Sequence, residues 1–331
     1  MVPIIKYMLW ILTGLAIVFI AYFFVGFARP AKKITWGVDF SVKQTDFLEL
    51  DAKETYLAIL DDLKAKNVKI SVNWDSIENE KGKYDFSDLD WQMREAEKRN
   101  VNIILAVGMK VPRWPECHLP QWAWDLNKDG QQQEILKMLD VVVSRYKDSP
   151  SLSGWQVENE TFFNFGACPW TDPDFLRKEI SFVKEKDGKH PVMVTDSGEL
   201  SFWLRASSTN ADILGVTTYR KVWQQQLHTY MSYFLPPVFY QRRAAIAENV
   251  FGKKVIGAEL QAEPWCANSI MNSSLEEQEK TMNLEQFKEN VEFAKNTGID
   301  TFYFWGPEWW YYMKTVHNDP SIWNEAKKLF E

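Results

Sequence analysis

The pattern of apolar and polar positions changes character near residue 33. From Tyr7 to Phe27 no charged residue occurs. At 1.5 Å rise per residue such a stretch makes about 31 Å of helix, the thickness of a bilayer's hydrocarbon core. Beyond Lys33, short apolar runs recur with helix-period stretches between them, the signature of repeated βα units and a parallel sheet. The pattern predicts strands over 34–40, 68–74, 101–108, 152–160, 191–196, 211–219, 254–260 and 301–305. Amphipathic helices are predicted over 55–66, 88–99, 131–147, 172–186, 284–297 and 320–330. Eight strands alternating with helices predict an α/β chain folded as a (β/α)8 TIM barrel, preceded by one N-terminal transmembrane helix. Residues 1–33 are assigned to the membrane anchor and a short linker, and 34–331 to the barrel. An open doubly wound sheet would carry a Gly-rich turn after its first strand, and the turn after GVDF has none. The segment 228–252 is longer and more apolar than a crossover needs. It reads as a sixth helix plus an insertion, either packed against the barrel or forming a surface against the bilayer or a polymer cleft.

The apolar stretch exceeds the roughly 7 to 15 residues of a signal-peptide core, and FARPAKK is a poor cleavage site, so an uncleaved anchor is expected. Arg29, Lys32 and Lys33 follow the span whereas Lys6 precedes it, which by charge bias alone places the large domain inside. A domain of this length translocates regardless of that bias, so the side is left to function.

Composition narrows the chemistry. The net charge of -7 leaves no basic footprint, so nucleic acid is not an expected partner. The four histidines form neither His-x-His nor His-Glu-x-x-His, the cysteines match no zinc spacing, and no Gly-rich phosphate loop occurs. No metal, cofactor or obligate protein partner is therefore expected. Sixteen tryptophans and twelve tyrosines exceed the needs of a core, and such rings stack on sugar faces or sit at membrane interfaces.

The strand ends carry the candidate site, because barrel enzymes place their chemistry where strands pass into βα loops. The fourth strand closes on GWQVENE and the seventh on GAELQAEPW, so Glu160 and Glu259 are expected to face one another across one mouth. Two opposed carboxyls are what glycoside hydrolysis requires: one protonates the leaving oxygen, the other attacks or activates water at the anomeric carbon. Asn159 can hydrogen-bond a sugar 2-hydroxyl, Tyr219 can donate to a carboxylate nucleophile, and Trp305 can floor the sugar site. Glu263 is the rival nucleophile. Glu158, one step deeper than Glu160, is read as structural. Trp74, at the end of strand 2, and Trp114, Trp122 and His118, in the loop after strand 3, are candidate sugar contacts.

Taken in order, NWDSIENEKGKYDFSDLDW, KVPRWPECHLPQW, WQVENE and AELQAEPW resemble the segments after strands 2 and 3 and at strands 4 and 7 of clan A glycoside hydrolases, the family 42, family 10 and family 5 type barrels. The resemblance covers nearly everything beyond Lys33. It implies a retaining β-glycoside hydrolase acting through a covalent glycosyl-enzyme. Glu160 would be the acid/base, Glu259 the nucleophile, Asn159 the 2-hydroxyl partner, Tyr219 the donor to the nucleophile and Trp305 the platform. The substrate would be a carbohydrate, the sugar itself left open. The catalytic domain is expected to be extracytoplasmic and membrane-anchored, where a Cys117–Cys168 bridge between mouth loops would persist. Competing readings are a membrane-tethered carbohydrate-binding pseudoenzyme, which would not need both glutamates, and a transglycosylase using the same residues.

Overall fold

The computed structural model describes residues 2–331, with side chains from residue 5 onward. Its centre is a closed barrel of eight parallel strands: β1 (Thr35–Phe40), β2 (Asn67–Ser71), β3 (Asn102–Val107), β4 (Leu152–Val157), β5 (Val192–Asp196), β6 (Ile213–Thr218), β7 (Lys254–Gln261) and β8 (Thr301–Trp305). Each strand pairs with its sequence neighbour, and β8 closes onto β1 through Thr35–Thr301 to Val38–Phe304.

The longer helices are α1 (Val2–Phe24), α2 (Ala52–Asp61), α3 (Ser87–Lys98), α4 (Lys128–Tyr146), α5 (Pro173–Lys186), α6 (Pro237–Phe251), α7 (Leu284–Asn296), α8 (Pro307–Thr315) and α9 (Ser321–Phe330). Their starts are written locally. Asp51, Asn127, Asp172 and Asn283 accept hydrogen bonds from backbone N–H groups of the first turns of α2, α4, α5 and α7, donors that a helix otherwise leaves unpaired. Gly252 in the left-handed region stops α6. Behind the strands, a continuous core including Trp155, Phe287, Phe302, Trp310 and Trp323 joins barrel and helices, each side chain 1% exposed or less. Inside the barrel, Ile104, Met193, Ile256, Ala258 and Tyr303 form a separate packed layer.

All eight expected strands are present, and the departures lie at the mouth. β2 ends at Ser71, and Trp74 opens a helical turn, Trp74–Ile77. β4 ends at Val157, and Glu158 and Glu160 beyond it take positive φ of 57° and 40°. Within the expected segment 228–252, Pro237–Phe251 is α6, and Thr229–Ser232 before it pairs antiparallel with Lys221–Gln224, which lies ahead of that segment.

Helix α1 has a mean hydropathy of 2.1 over Ile5–Phe24 and is long and apolar enough to cross a membrane. Its C-terminal end meets α6. Phe23 and Phe24 pack on Phe239 with ring centroids 6.0 and 5.1 Å apart, and the Arg242 guanidinium lies 4.8 Å from the Tyr22 ring centre.

Candidate active site

Glu160 reaches the mouth because the chain leaves β4 through the left-handed region. Its N–H donates to Thr195 Oγ1 on β5 (2.8 Å), and its carboxyl accepts from Thr217 Oγ1 on β6 (3.1 Å). Only 8% of the residue is exposed. Burial, and next the charge of Glu259 and then Glu116, drive its pKa well above the usual carboxylate range. Both effects favour the protonated form over the charged one.

Glu259 stands on β7 beside Thr217, its register partner on β6, so the two carboxyls are linked through adjacent positions of neighbouring strands. Tyr219 donates its phenol to Glu259 Oε2 (2.9 Å). The other oxygen, Oε1, has no hydrogen-bond partner among the described residues and faces Lys69 Nζ at 3.7 Å. Lys69 also pairs with Asp39 Oδ2 at 3.2 Å, deep between β1 and β2. Burial raises the Asp39 pKa well above normal, against the pull of Lys69. Burial, followed by the Glu259 charge, raises the Tyr219 phenol well above its ordinary value, so it acts here as a donor.

Asn159 Oδ1 accepts from Gln156 Nε2 and Thr195 Oγ1, and its Nδ2 donates to Glu116 Oε2 (2.9 Å). The amide is thus oriented on three sides. Glu116 arrives from the loop after β3, and burial pushes its pKa to about 7. Glu158 accepts from the backbone N–H groups of Met109 and Lys110 (2.6 and 2.9 Å), which fits the structural reading. Gly108 is required for that contact: a Cβ there would sit 2.3 Å from Glu158 Oε1. Cys117 and Cys168 are bonded and join the loops after β3 and β4.

The aromatic expectations divide. Trp114 is 68% exposed and sits edge-on to Phe165 at the rim. Trp305 stands at the mouth, but the Arg113 guanidinium lies 3.7 Å from its ring centre and takes one face of the expected platform. Trp74 is corrected: it is fully buried, its indole donating to Glu78 Oε2 (2.7 Å), because the helical turn after β2 folds it inward. His118 is corrected likewise. It is 1% exposed, its Nε2 lies 3.0 Å from the Arg113 carbonyl oxygen, and burial lowers its pKa to about 4, so it pins the loop as a neutral ring. Trp122 is half-buried and donates to the Glu78 carbonyl. Glu263 is engaged by Arg113 and by Gln44 Nε2 (3.2 Å). Among the described residues no cluster of His, Cys, Asp or Glu is arranged to hold a metal ion.

Arg113, Glu116, Glu308, Lys69 and Asp39 escaped the sequence reading. Lys69 and Asp39 did leave a signal, since each is a charge inside an otherwise apolar strand, VKIS and GVDF. Arg113 left none, because its partners Glu263 and Glu308 (3.1 Å to Oε2) lie 150 and 195 residues away.

The family model for glycoside hydrolase family 42, described as beta-galactosidase, matches residues 49–245, more than half the chain. The chain belongs to that family. For this family 42 chain, the matched range contains Asn159, Glu160 and Tyr219 and ends before Glu259 and Trp305. It is also similar to a probable mannan endo-1,4-beta-mannosidase A-1 of Aspergillus terreus (strain NIH 2624 / FGSC A1156), 26% identical over 120 residues, covering 33% of this chain and 30% of that one. Among solved structures it resembles a beta-galactosidase from the Antarctic haloarchaeon Halorubrum lacusprofundi (TM-score 0.56, 14% identity, 82% of this chain and 52% of that one). It also resembles xylanase 10B from Thermotoga petrophila RKU-1 (TM-score 0.56, 16% identity, 83% of this chain and 82% of that one). These likenesses establish the barrel. The chain thus spans under a third of the mannosidase and about half of the haloarchaeal enzyme.

Proposed function

We propose that this family 42 chain is a retaining β-glycoside hydrolase acting on β-linked oligo- or polysaccharides. The observation that carries the reading is the asymmetry of the two mouth carboxyls. Glu160 is buried among negative neighbours and favours its protonated form, whereas Glu259 has Tyr219 on one oxygen and Lys69 facing the other. Glu259 Oε1 attacks the anomeric carbon as the bond to the leaving oxygen breaks, and Glu160 gives its proton to that oxygen. Water then attacks the glycosyl ester, its proton passes to Glu160, and the bond to Glu259 breaks with net retention. Asn159 is held to meet the 2-hydroxyl, and Trp114 offers an exposed ring at the rim. Glu263 is a weaker nucleophile candidate because Arg113 already neutralises it.

Helix α1 serves as a membrane anchor with the barrel on the extracytoplasmic side. Its length and hydropathy support the span, and the Cys117–Cys168 bond supports an oxidising compartment. The test is turnover of a panel of aryl β-glycosides and β-linked polysaccharides by wild type, Glu160→Ala and Glu259→Ala. Sugar release by wild type alone, with azide rescuing only Glu160→Ala on activated substrates, supports the assignment. Full activity in Glu259→Ala would sink it, and binding without cleavage by wild type would favour a carbohydrate-binding protein.

A further inference from the structure

One sector of the barrel holds both the end of α1 and a group of apolar side chains left in water. Helix α6 is the common support. On its outer side Phe239 packs against Phe23 and Phe24 of α1, and Arg242 Nη1 donates to the Ala21 carbonyl (3.3 Å). Two mouth-side loops lean on the same helix. After β5, Arg243 of α6 donates to the carbonyls of Gly198 (2.8 Å) and Ser201 and stacks on Trp203, 3.8 Å from its ring centre. Tyr240 of α6 donates to Glu199 (2.6 Å), whose carboxylate also accepts from the Tyr219 N–H (3.0 Å) at the edge of the site.

That loop is fastened at four points, yet Leu200, Phe202 and Leu204 are 53%, 73% and 52% exposed. After β6, the chain entering the Pro236–Pro237 start of α6 leaves Phe234 90% exposed. Single exposed apolar residues are ordinary. Four on two anchored loops beside a membrane-length helix are not, and apolar tips on a rigid support fit insertion into a membrane interface. Both loops follow strand C-termini, so the patch belongs to the rim of the mouth and not to the base.

We propose that Leu200, Phe202, Leu204 and Phe234 insert into the headgroup–acyl boundary of the bilayer that α1 crosses. The β5–β6 rim then rests on the membrane, and the substrate is a glycan carried on or lying against the lipid surface. The proposal rests on the anchor reading above. It gives the connection from Glu199 to Tyr219 a purpose, because the loop that touches lipid is also the loop that braces the donor to Glu259.

The full chain carrying Cys266→Ser, reconstituted into phosphatidylethanolamine and phosphatidylglycerol vesicles, would be spin-labelled singly through Phe202→Cys, Phe234→Cys, Leu15→Cys or Asp148→Cys. Accessibility to oxygen and to a water-soluble nickel chelate gives the depth of each label. Positions 202 and 234 are expected about 5 Å below the phosphate level, with Leu15 near the bilayer centre and Asp148 in water. Water-like labels at 202 and 234 with Leu15 in the membrane would overturn the docking and leave the anchor standing. Leu15 in water would overturn the anchor and this proposal together. Labels at 202 and 234 shielded from both reagents would mean a protein surface, such as a second copy, covers the patch, which also refutes lipid as its occupant.

Discussion

Asp62 on the outside of the barrel and Glu160 in its mouth each have several polar neighbours, and those neighbours drive them in opposite directions. Asp62 accepts from Lys314 Nζ (2.7 Å), Lys327 Nζ (2.7 Å) and Trp323 Nε1 (2.8 Å), and hydrogen bonds from the two lysines hold its carboxyl far below the usual range. Glu160 meets one hydroxyl, while burial and two acids push it up. The outer acid is kept charged by partners it shares with water. The inner acid is pushed toward its neutral form by burial and by the charges of Glu259 and Glu116, against the pull of Lys110. The first arrangement favours a charged carboxyl and the second a protonated one.

The widest gap between the two regions concerns activity. Glu259→Ala is expected to lower kcat on the order of a millionfold, measured by sugar release, with thermal unfolding used to confirm that the variant is folded at the assay temperature. A loss of less than tenfold would remove Glu259 from the nucleophile role. A mutation at Asp62 is expected to leave kcat unchanged.

Ion pairs give the next contrast. Arg113 is buried between Glu263 and Glu308, so Arg113→Met strands two acids without a cation, and burial already lifts Glu308 to about 7. Removing one member of such a buried set costs about 3 to 5 kcal/mol, read from denaturant unfolding at pH 7. The loss is expected to shrink as pH falls from 7 toward about 4.3, the unfolded glutamate value, because the folded variant's Glu308 takes its proton over that range. A pH-independent loss would point to packing on Trp305 instead.

Tyr219→Phe removes the hydrogen bond to Glu259 and is expected to lower kcat/KM about 10- to 100-fold, the value of about 1.5 to 3 kcal/mol for a bond to a charged group. Glu116→Gln should act more gently and on pH alone. With one negative neighbour gone, Glu160 loses its proton more readily, so the alkaline limb of kcat/KM moves to lower pH. A limb that stays put would show that Glu116 contributes nothing and that burial and Glu259 set the acid.

The strands, the carboxyls at their ends and Tyr219 were legible because each is a local event: an apolar run with a polar residue at its C-terminal end. What failed was whatever depended on a turn or on distant chain. Trp74 looked like a rim tryptophan because VKISVNW reads as one strand, yet the chain turns after Ser71 and the indole finds Glu78 one helical turn later. Arg113 acquires its role only when loops after β3, β7 and β8 meet, and no spacing encodes that meeting. His118 was read as a sugar contact from its place in the loop after strand 3, whereas it is buried beneath that loop.

The smallest effect belongs to the outer acid, and its sign against pH separates it from everything in the mouth. Asp62 has a folded pKa depressed below its unfolded value, so its contribution is present above about pH 4, the unfolded carboxylate value, and is lost as pH falls through the folded one. The side chain is 39% exposed, so solvent screens the pairs and the contribution is about 0.5 to 1 kcal/mol. Asp62→Asn keeps an oxygen for Trp323 Nε1 and removes only the charge. Its melting temperature at pH 7 should fall by about 1 to 2 °C, and the difference from wild type should narrow as the buffer is taken from pH 4 toward pH 2 or as salt is raised to about 1 M. A deficit that persists in both conditions would mean that Asp62 acts through packing, and the contrast with Glu160 would then rest on burial and not on charge.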